Sequence, residues 1–287
     1  MAQTYRDFEL IIFDDGSEDH SREVIAEFES EYSRVVRYLC HENGTNRGIV
    51  STYRAAISRA RGKYVAFLEH DDRWSNGYLD SKVALFDRHP EVGVVFSPYR
   101  VVSDGWFGKD MVLRQWLLRR TFPRRRPFSN FGHLLRSNNI ATFSCFAARK
   151  SILDQVSAPP LHIFAYDWWV LAQLSTKALF FLDDSSYTLW RWSRDSTIGG
   201  QQFEDHRDRG CAFMGLMYRE LEKGYGTLAP ADRRTFDKTR TIFSKFVEFY
   251  RRPGALKFLV FFVRAPVWAL ATSASLVINY AKFGRGR

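Results

Sequence analysis

Two apolar runs that end in carboxylates constrain this chain more than any other feature. Leu10-Ile11-Ile12-Phe13 runs into Asp14-Asp15-Gly16-Ser17, and Tyr64-Val65-Ala66-Phe67-Leu68 runs into Glu69-His70-Asp71-Asp72. Short apolar runs bounded by turn residues read as buried strands. In an open α/β sheet, ligands bind beyond the carboxyl ends of the strands. Both acidic clusters would then face one crevice.

The pattern around these runs supports that reading. Residues 8–13 predict a strand, and residues 17–32 predict a helix that carries Val24, Ile25 and Phe28 at helical spacing behind Ser17. A strand at 35–39 follows. A polar Asn- and Gly-rich loop at 41–48 leads to a helix through residue 61, with Gly62 as its stop and a strand at 63–68. The order β-α-β-α-β predicts a parallel, doubly wound sheet. Further along, a helix at 77–88 ends at His89-Pro90, and a strand spans 92–96. Later strands are expected at 142–148, 178–182 and 187–191, with a Trp-rich helix at about 167–176. Residues 205–287 read as mainly helical, with no internal repeat.

Composition fits a globular protein with a catalytic domain and an appendage, at 287 residues and 45% hydrophobic. The chain divides into residues 1–204 and a basic region, 205–287. Cys40, Cys145 and Cys211 lie far apart without metal-ligand spacing, which points to a reducing, cytoplasmic setting and away from a zinc site. Residues 1–100 hold 13 Lys+Arg against 17 Asp+Glu, a net of −4, so residues 101–287 carry +14 and the overall +10 arises there. No nucleic-acid-binding motif accompanies that charge, so nucleic acid is not the expected partner.

Each acidic strand end also has a purely structural explanation. Asp15 can cap the following helix, and Asp71-Asp72 can begin a turn. Two such clusters in one small α/β unit favour chemistry, because a divalent cation takes hard oxygen ligands and keeps positions open for substrate phosphate.

The residues at 3–17, the triplet Asn46-Arg47-Gly48 and the stretch 62–74 together resemble the family 2 inverting glycosyltransferases with a GT-A fold. The resemblance extends to about residue 200, with several signatures in the expected order. It implies a nucleotide-sugar donor and a glycan or lipid-linked acceptor, with Mg2+ or Mn2+ as cofactor, in cell-surface polysaccharide synthesis. Asp15 would contact the base, with Asp14 and Arg47 beside it. Asp71 and Asp72 would supply the metal ligands of the DXD-type motif, whose first acidic position is Glu69 in place of Asp. Tyr166-Asp167-Trp168-Trp169 and Leu189-Trp190-Arg191 resemble the rhamnosyltransferase-like branch, which makes Asp167 the candidate general base. Capping of the Trp-rich helix is the alternative role for Asp167. Arg191 would steady the diphosphate or serve as a structural ion-pair partner.

Three further expectations concern the ends and the basic region. Relatives begin with a strand and helix that this chain lacks, so an N-terminally truncated fold is expected, its absent first strand lying between those that end at Asp15 and Asp71. The run 119–126, with five arginines in eight residues, reads as a solvated loop or a phosphate clamp. Apolar segments at 258–263 and 265–281, flanked by Lys and Arg, fall short of the about 20 apolar residues of a span and read as helices in an anionic membrane interface. That would hold the enzyme peripherally on the inner face of the membrane. The alternative to an enzyme is a non-catalytic, membrane-associated relative that binds nucleotide or glycan.

Overall fold

The computed structural model describes residues 1–102, 122–160, 163, 165–191 and 203–251. The elements run β1 (Leu10–Asp14), α1 (Ser21–Glu31), β2 (Val36–Cys40), α2 (Ile49–Arg59), β3 (Tyr64–Ala66), β4 (Arg73–Trp74), α3 (Tyr78–Arg88), β5 (Val92–Phe96) and β6 (Tyr99–Val102). They continue as α4 (Phe131–Leu134), β7 (Phe146–Arg149), α5 (Lys150–Leu153), α6 (Tyr166–Leu174), β8 (Leu179–Leu182), β9 (Thr188–Arg191), α7 (Phe203–Glu222) and α8 (Pro230–Arg251). Two compact units result, interleaved in sequence: residues 1–99, 123–129 and 140–190 form the first, and 100–122, 130–139 and 191–287 the second.

In the first unit the sheet is split. β1 pairs in parallel with β2 alone, in the register Leu10 with Val36 to Asp14 with Cys40. β3, β7, β5 and β8 form a separate four-stranded sheet in that order. The β5–β8 pair is parallel, whereas β7 is antiparallel to both neighbours, so the sheet is mixed where the sequence pattern predicted parallel strands. A parallel neighbour needs a crossover packed on the sheet and an antiparallel one does not, and among the described residues β7 is entered directly from a 3₁₀ segment at 143–145. Among the described residues, β1 and β3 each keep one edge without a ladder partner, and the side chains of both strands are mostly only half-buried. Correspondingly, α1 buries none of its residues, and Val24 is 62% exposed.

The core lies around β5, whose five residues are all buried. Phe86, Val92, Val95, Ala147 and Phe181 pack together there, and Tyr64 stacks on Phe86 with ring centroids 4.5 Å apart. α3 turns Tyr78, Lys82 and Phe86 inward at four-residue spacing, which is one stripe of an α-helix. Its carboxyl end is closed by Arg149 of β7, whose guanidinium donates to the Phe86 and His89 carbonyls at 2.6 and 3.2 Å.

In the second unit α7 and α8 carry an aromatic core. The Tyr218 ring lies 5.5 Å from Phe236 and 5.4 Å from Phe243, and the Tyr218 hydroxyl donates to the Leu135 carbonyl at 3.1 Å. Phe236 and Phe243, seven residues apart on α8, are thus used in packing within the unit. Residues 119–121 of the run 119–126 and all of 252–287 lie outside the described residues. No helix among the described residues is long and apolar enough to cross a membrane.

Candidate active site

The loop after β1 is built to present Asp15. Asp14 is buried and spent on its own chain: one oxygen accepts from the Ser17 amide at 2.9 Å and hydroxyl at 2.5 Å, the other from Arg22 Nε at 3.0 Å. Burial alone would raise the Asp14 carboxyl, but these donors and the Arg22 charge hold it below its ordinary range. Gly16 follows in a left-handed conformation, φ +88°, where a Cβ would stand 2.7 Å from the Asn46 amide nitrogen. Only glycine lets this loop approach the 44–47 loop so closely. The approach places Asp15 Oδ1 2.8 Å from the Arg47 amide and 3.5 Å from His41 Nε2. His41 is itself buried and 3.0 Å from Thr52 Oγ1. Asp15 Oδ2 makes no hydrogen bond among the described residues, so Asp15 retains an acceptor beside Arg47. The Arg47 guanidinium, half-exposed, lies 3.9 Å from Glu42.

The second acidic cluster follows β3. A turn closes with the Asp72 amide donating to the Glu69 carbonyl at 3.0 Å, leaving Asp72 buried and Asp71 half-buried. The Glu69 side chain points inward: Thr142 Oγ1 donates to its carboxylate, and the Tyr53 hydroxyl lies 3.5 Å away. Tyr53 of α2 stacks on Phe143 with centroids 4.1 Å apart and meets the Tyr166 ring edge-on at 6.1 Å. Asp167 lies in the first turn of α6, where its Oδ1 accepts from the Trp168 amide at 2.7 Å.

Electrostatics show that these carboxylates gather in one place. Burial raises the Glu69 carboxyl most, the Thr142 bond opposes it, and the negative charges of Asp167, Asp72 and Asp71 push it further, to about 7. Burial also raises the Tyr53 phenol, followed by the charges of Glu69, Asp167 and Asp72. Four acidic side chains from two distant stretches of sequence therefore act on one locus. Among the described residues, no three Asp, Glu, His or Cys side chains form a ready-made metal cluster.

A profile of the family described as Glycosyl transferase family 2 matches residues 1–157, more than half of the chain. The chain belongs to that family. Its relatives include the Mycobacterium tuberculosis protein Rv1520, 32% identical over 164 residues, which are 56% of this chain and 43% of that protein. Another is the Escherichia coli UDP-Glc:alpha-D-GlcNAc-diphosphoundecaprenol beta-1,3-glucosyltransferase WfaP, 26% identical over 170 residues, 59% of this chain and 60% of that enzyme. This family 2 chain thus spans about half the length of the curated relatives it matches. Among solved structures, the mannosyltransferase PcManGT from Pyrobaculum calidifontis, in complex with GDP-Man and Mn2+, resembles it with a TM-score of 0.54 at 14% identity, over 98% of this chain and 76% of that one. The fold is GT-A, as the resemblance of the sequence to this family implied.

The family 2 signature residues therefore sit in two places within the first unit. Asp14, Asp15 and Arg47 share one pair of loops; Glu69, Asp71, Asp72 and Asp167 share the acidic locus. Arg191 closes β9, exposed, and the segment after it, 192–202, lies outside the described residues. Sequence reasoning did not single out His41, Tyr53, Thr142 or Ser144, whose hydroxyl oxygen accepts the Glu69 amide at 2.9 Å. His41 stood unremarked in the Asn- and Gly-rich loop, and the hydroxyls of Thr142 and Ser144 were hidden in an expected strand.

Proposed function

We propose that this glycosyltransferase moves a sugar from a nucleoside-diphosphate donor to a hydroxyl of a glycan or lipid-linked acceptor, with inversion and with a divalent cation, in cell-surface polysaccharide synthesis. The reading is supported by the charges of Asp167, Asp72 and Asp71 all acting on Glu69, whose carboxylate accepts from Thr142 and lies beside Tyr53. Like charges brought together in a half-buried site favour a bound cation, a nearby proton, or both.

The donor set fits Mg2+ or Mn2+. Asp71 and Asp72 offer hard oxygens, and because no complete protein cage exists among the described residues, diphosphate oxygens would share the coordination, as Mg2+ sites usually do. When bound, the cation offsets the charge that develops on the leaving diphosphate. Asp15 accepts a hydrogen bond from the base through its spare oxygen, while Asp14 and Arg47 hold the loops on which that carboxylate stands. Arg191 steadies the diphosphate. Asp167 takes the proton from the acceptor hydroxyl as that oxygen attacks the anomeric carbon. Attack on the face opposite the leaving group inverts the centre. Glu69, turned toward Thr142 and Tyr53, lines the metal site and adds to its negative field.

A lipid-diphosphate acceptor finds support in the name of the E. coli relative, and the peripheral membrane placement rests on the basic, apolar sequence at 258–287. The rhamnosyltransferase-like likeness of residues 166–191 leaves a deoxyhexose donor as one candidate sugar. The test is transfer from a panel of UDP-, GDP- and dTDP-sugars to acceptor lipid with Mn2+ or Mg2+. Transfer should vanish in Asp72→Ala and Asp167→Asn while the fold, followed by circular dichroism, persists. Unchanged turnover in Asp167→Asn would remove the base assignment, and absence of transfer with every donor would favour a non-catalytic binding protein.

A further inference from the structure

We propose that Ser144 is a positioning residue that clasps the acidic loop, residues 69–74, at both of its ends. The inference rests on the reading of that loop as the seat of the cation. Ser144 sits in a one-turn 3₁₀ segment, Phe143–Cys145, whose residues are at most 1% exposed. Its side chain takes the beginning of the loop: Ser144 Oγ accepts the Glu69 amide at 2.9 Å. Its main chain takes the end: the Ser144 carbonyl accepts the Trp74 indole Nε1 at 2.8 Å. Asp71 and Asp72 lie between these two anchors.

The same carbonyl also accepts the Tyr78 hydroxyl at 3.1 Å and the Thr188 hydroxyl at 2.8 Å. Three donors share this carbonyl, so it stays held by the other two when one of them is lost. Trp74 is held a second time, stacked on Tyr78 with centroids 4.3 Å apart and planes 4° from parallel. The 3₁₀ turn is closed by the Cys145 amide donating to the Thr142 carbonyl at 3.1 Å, and Thr142 in turn bonds the Glu69 carboxylate. Ala141, immediately before, is held at φ +78°, a conformation that costs a non-glycine residue energy and persists only where its surroundings enforce it. One short turn thus grips Glu69 by backbone and side chain and Trp74 by its indole. A loop pinned at both ends holds its carboxylates in place before any ligand arrives, which is how outer partners tune a metal site.

Three variants separate the two anchors from the frame behind them. Ser144→Ala frees the Glu69 end, Trp74→Phe frees the other end while keeping the stack, and Thr188→Val removes a donor that is not on the loop. Two readouts are taken on the full chain: amide hydrogen exchange of the peptide covering 68–74, and Mn2+ binding followed by the electron paramagnetic resonance of free Mn2+. Ser144→Ala and Trp74→Phe should each speed exchange in that peptide and weaken Mn2+ by about 10-fold. Thr188→Val should leave both near the wild type. The clasp is overturned if Ser144→Ala leaves loop exchange unchanged, or if exchange rises while Mn2+ affinity holds. It is equally overturned if Thr188→Val matches the effect of the loop variants. Should the wild type bind no Mn2+, the metal reading falls, and the exchange data alone decide whether the loop is clasped.

Discussion

Breaking the Lys82–Asp183 pair is expected to destabilise the first unit by an amount that depends on which partner is removed. Lys82 Nζ lies 2.6 Å from Asp183 Oδ2, and both side chains are 2% exposed. Lys82 Nζ also bonds Ser97 Oγ and donates to Ser186 Oγ at 2.9 Å, 4.0 Å from the centre of the Tyr78 ring. Asp183 is better provided. Its oxygens accept from Ser81 Oγ at 2.6 Å, Ser186 Oγ at 2.5 Å, and the Ser185 amide and hydroxyl at 2.9 and 2.6 Å. Burial by itself would raise the Asp183 carboxyl, yet the Lys82 charge and these donors hold it well below the usual carboxylate range.

Asp183→Ala leaves a buried ammonium with hydroxyl oxygens and a ring, and should cost about 3–5 kcal/mol. Lys82→Met keeps the aliphatic stem and leaves the carboxylate among four hydrogen-bond donors, so about 1–3 kcal/mol is expected. The double change Lys82→Met with Asp183→Leu should cost less than the sum, because no uncompensated charge remains. Urea titration followed by circular dichroism measures each difference. An Asp183→Ala loss below about 1 kcal/mol, or a Lys82→Met loss larger than that of Asp183→Ala, would refute the account. Since the folded carboxyl titrates below its unfolded value, its contribution is present above the unfolded value, about pH 4, and is lost as pH falls further. Asp183→Asn should therefore flatten the acid limb of the stability profile.

Gly16→Ala should cost about 1–2 kcal/mol and weaken donor binding, because its left-handed φ and the 2.7 Å approach to Asn46 both oppose a Cβ; equal nucleotide affinity by calorimetry would contradict this. Gly93→Ala, whose new Cβ would stand 2.3 Å from both Ala178 Cβ and Ile152 Cδ1, should cost about 1–3 kcal/mol in thermal unfolding without altering donor affinity. Without divalent cation, the raised folded value of Glu69 means that its share of stability is full below about pH 4.5 and is lost as pH rises through about 7. Glu69→Gln should accordingly remove that decline, and an unchanged slope between pH 5 and 8 would argue against the buried carboxyl.

Most of the elements were legible in the sequence because local rules suffice for them. Residues 92–96 form the predicted strand, and Tyr78–Arg88 the predicted helix, since a fully apolar run and a four-residue stripe announce themselves. The ends were less clear. Residues 142–145 carry the alternation of a strand, but after an extended Thr142 the chain turns into a 3₁₀ segment at Phe143–Cys145, closed by the Cys145 amide on the Thr142 carbonyl, and the Thr142 and Ser144 hydroxyls are used on Glu69. Tertiary bonding overrode the local preference there.

The sequence by itself determined that carboxylates terminate β1 and follow β3, since a strand that ends in Asp and Gly can only deliver those groups to the sheet's carboxyl edge. It could not decide which of them meet. That Asp167 shares a field with Glu69 and Asp72 follows from folding across about a hundred residues, and that Asp14 is consumed by Ser17 and Arg22 while Asp15 keeps an acceptor depends on distances of 2.5 to 3.0 Å. The direction of β7 and the clasp on the acidic loop belong to the same class. Each is set by contacts between segments far apart in the chain, for which no spacing along the sequence stands as a sign.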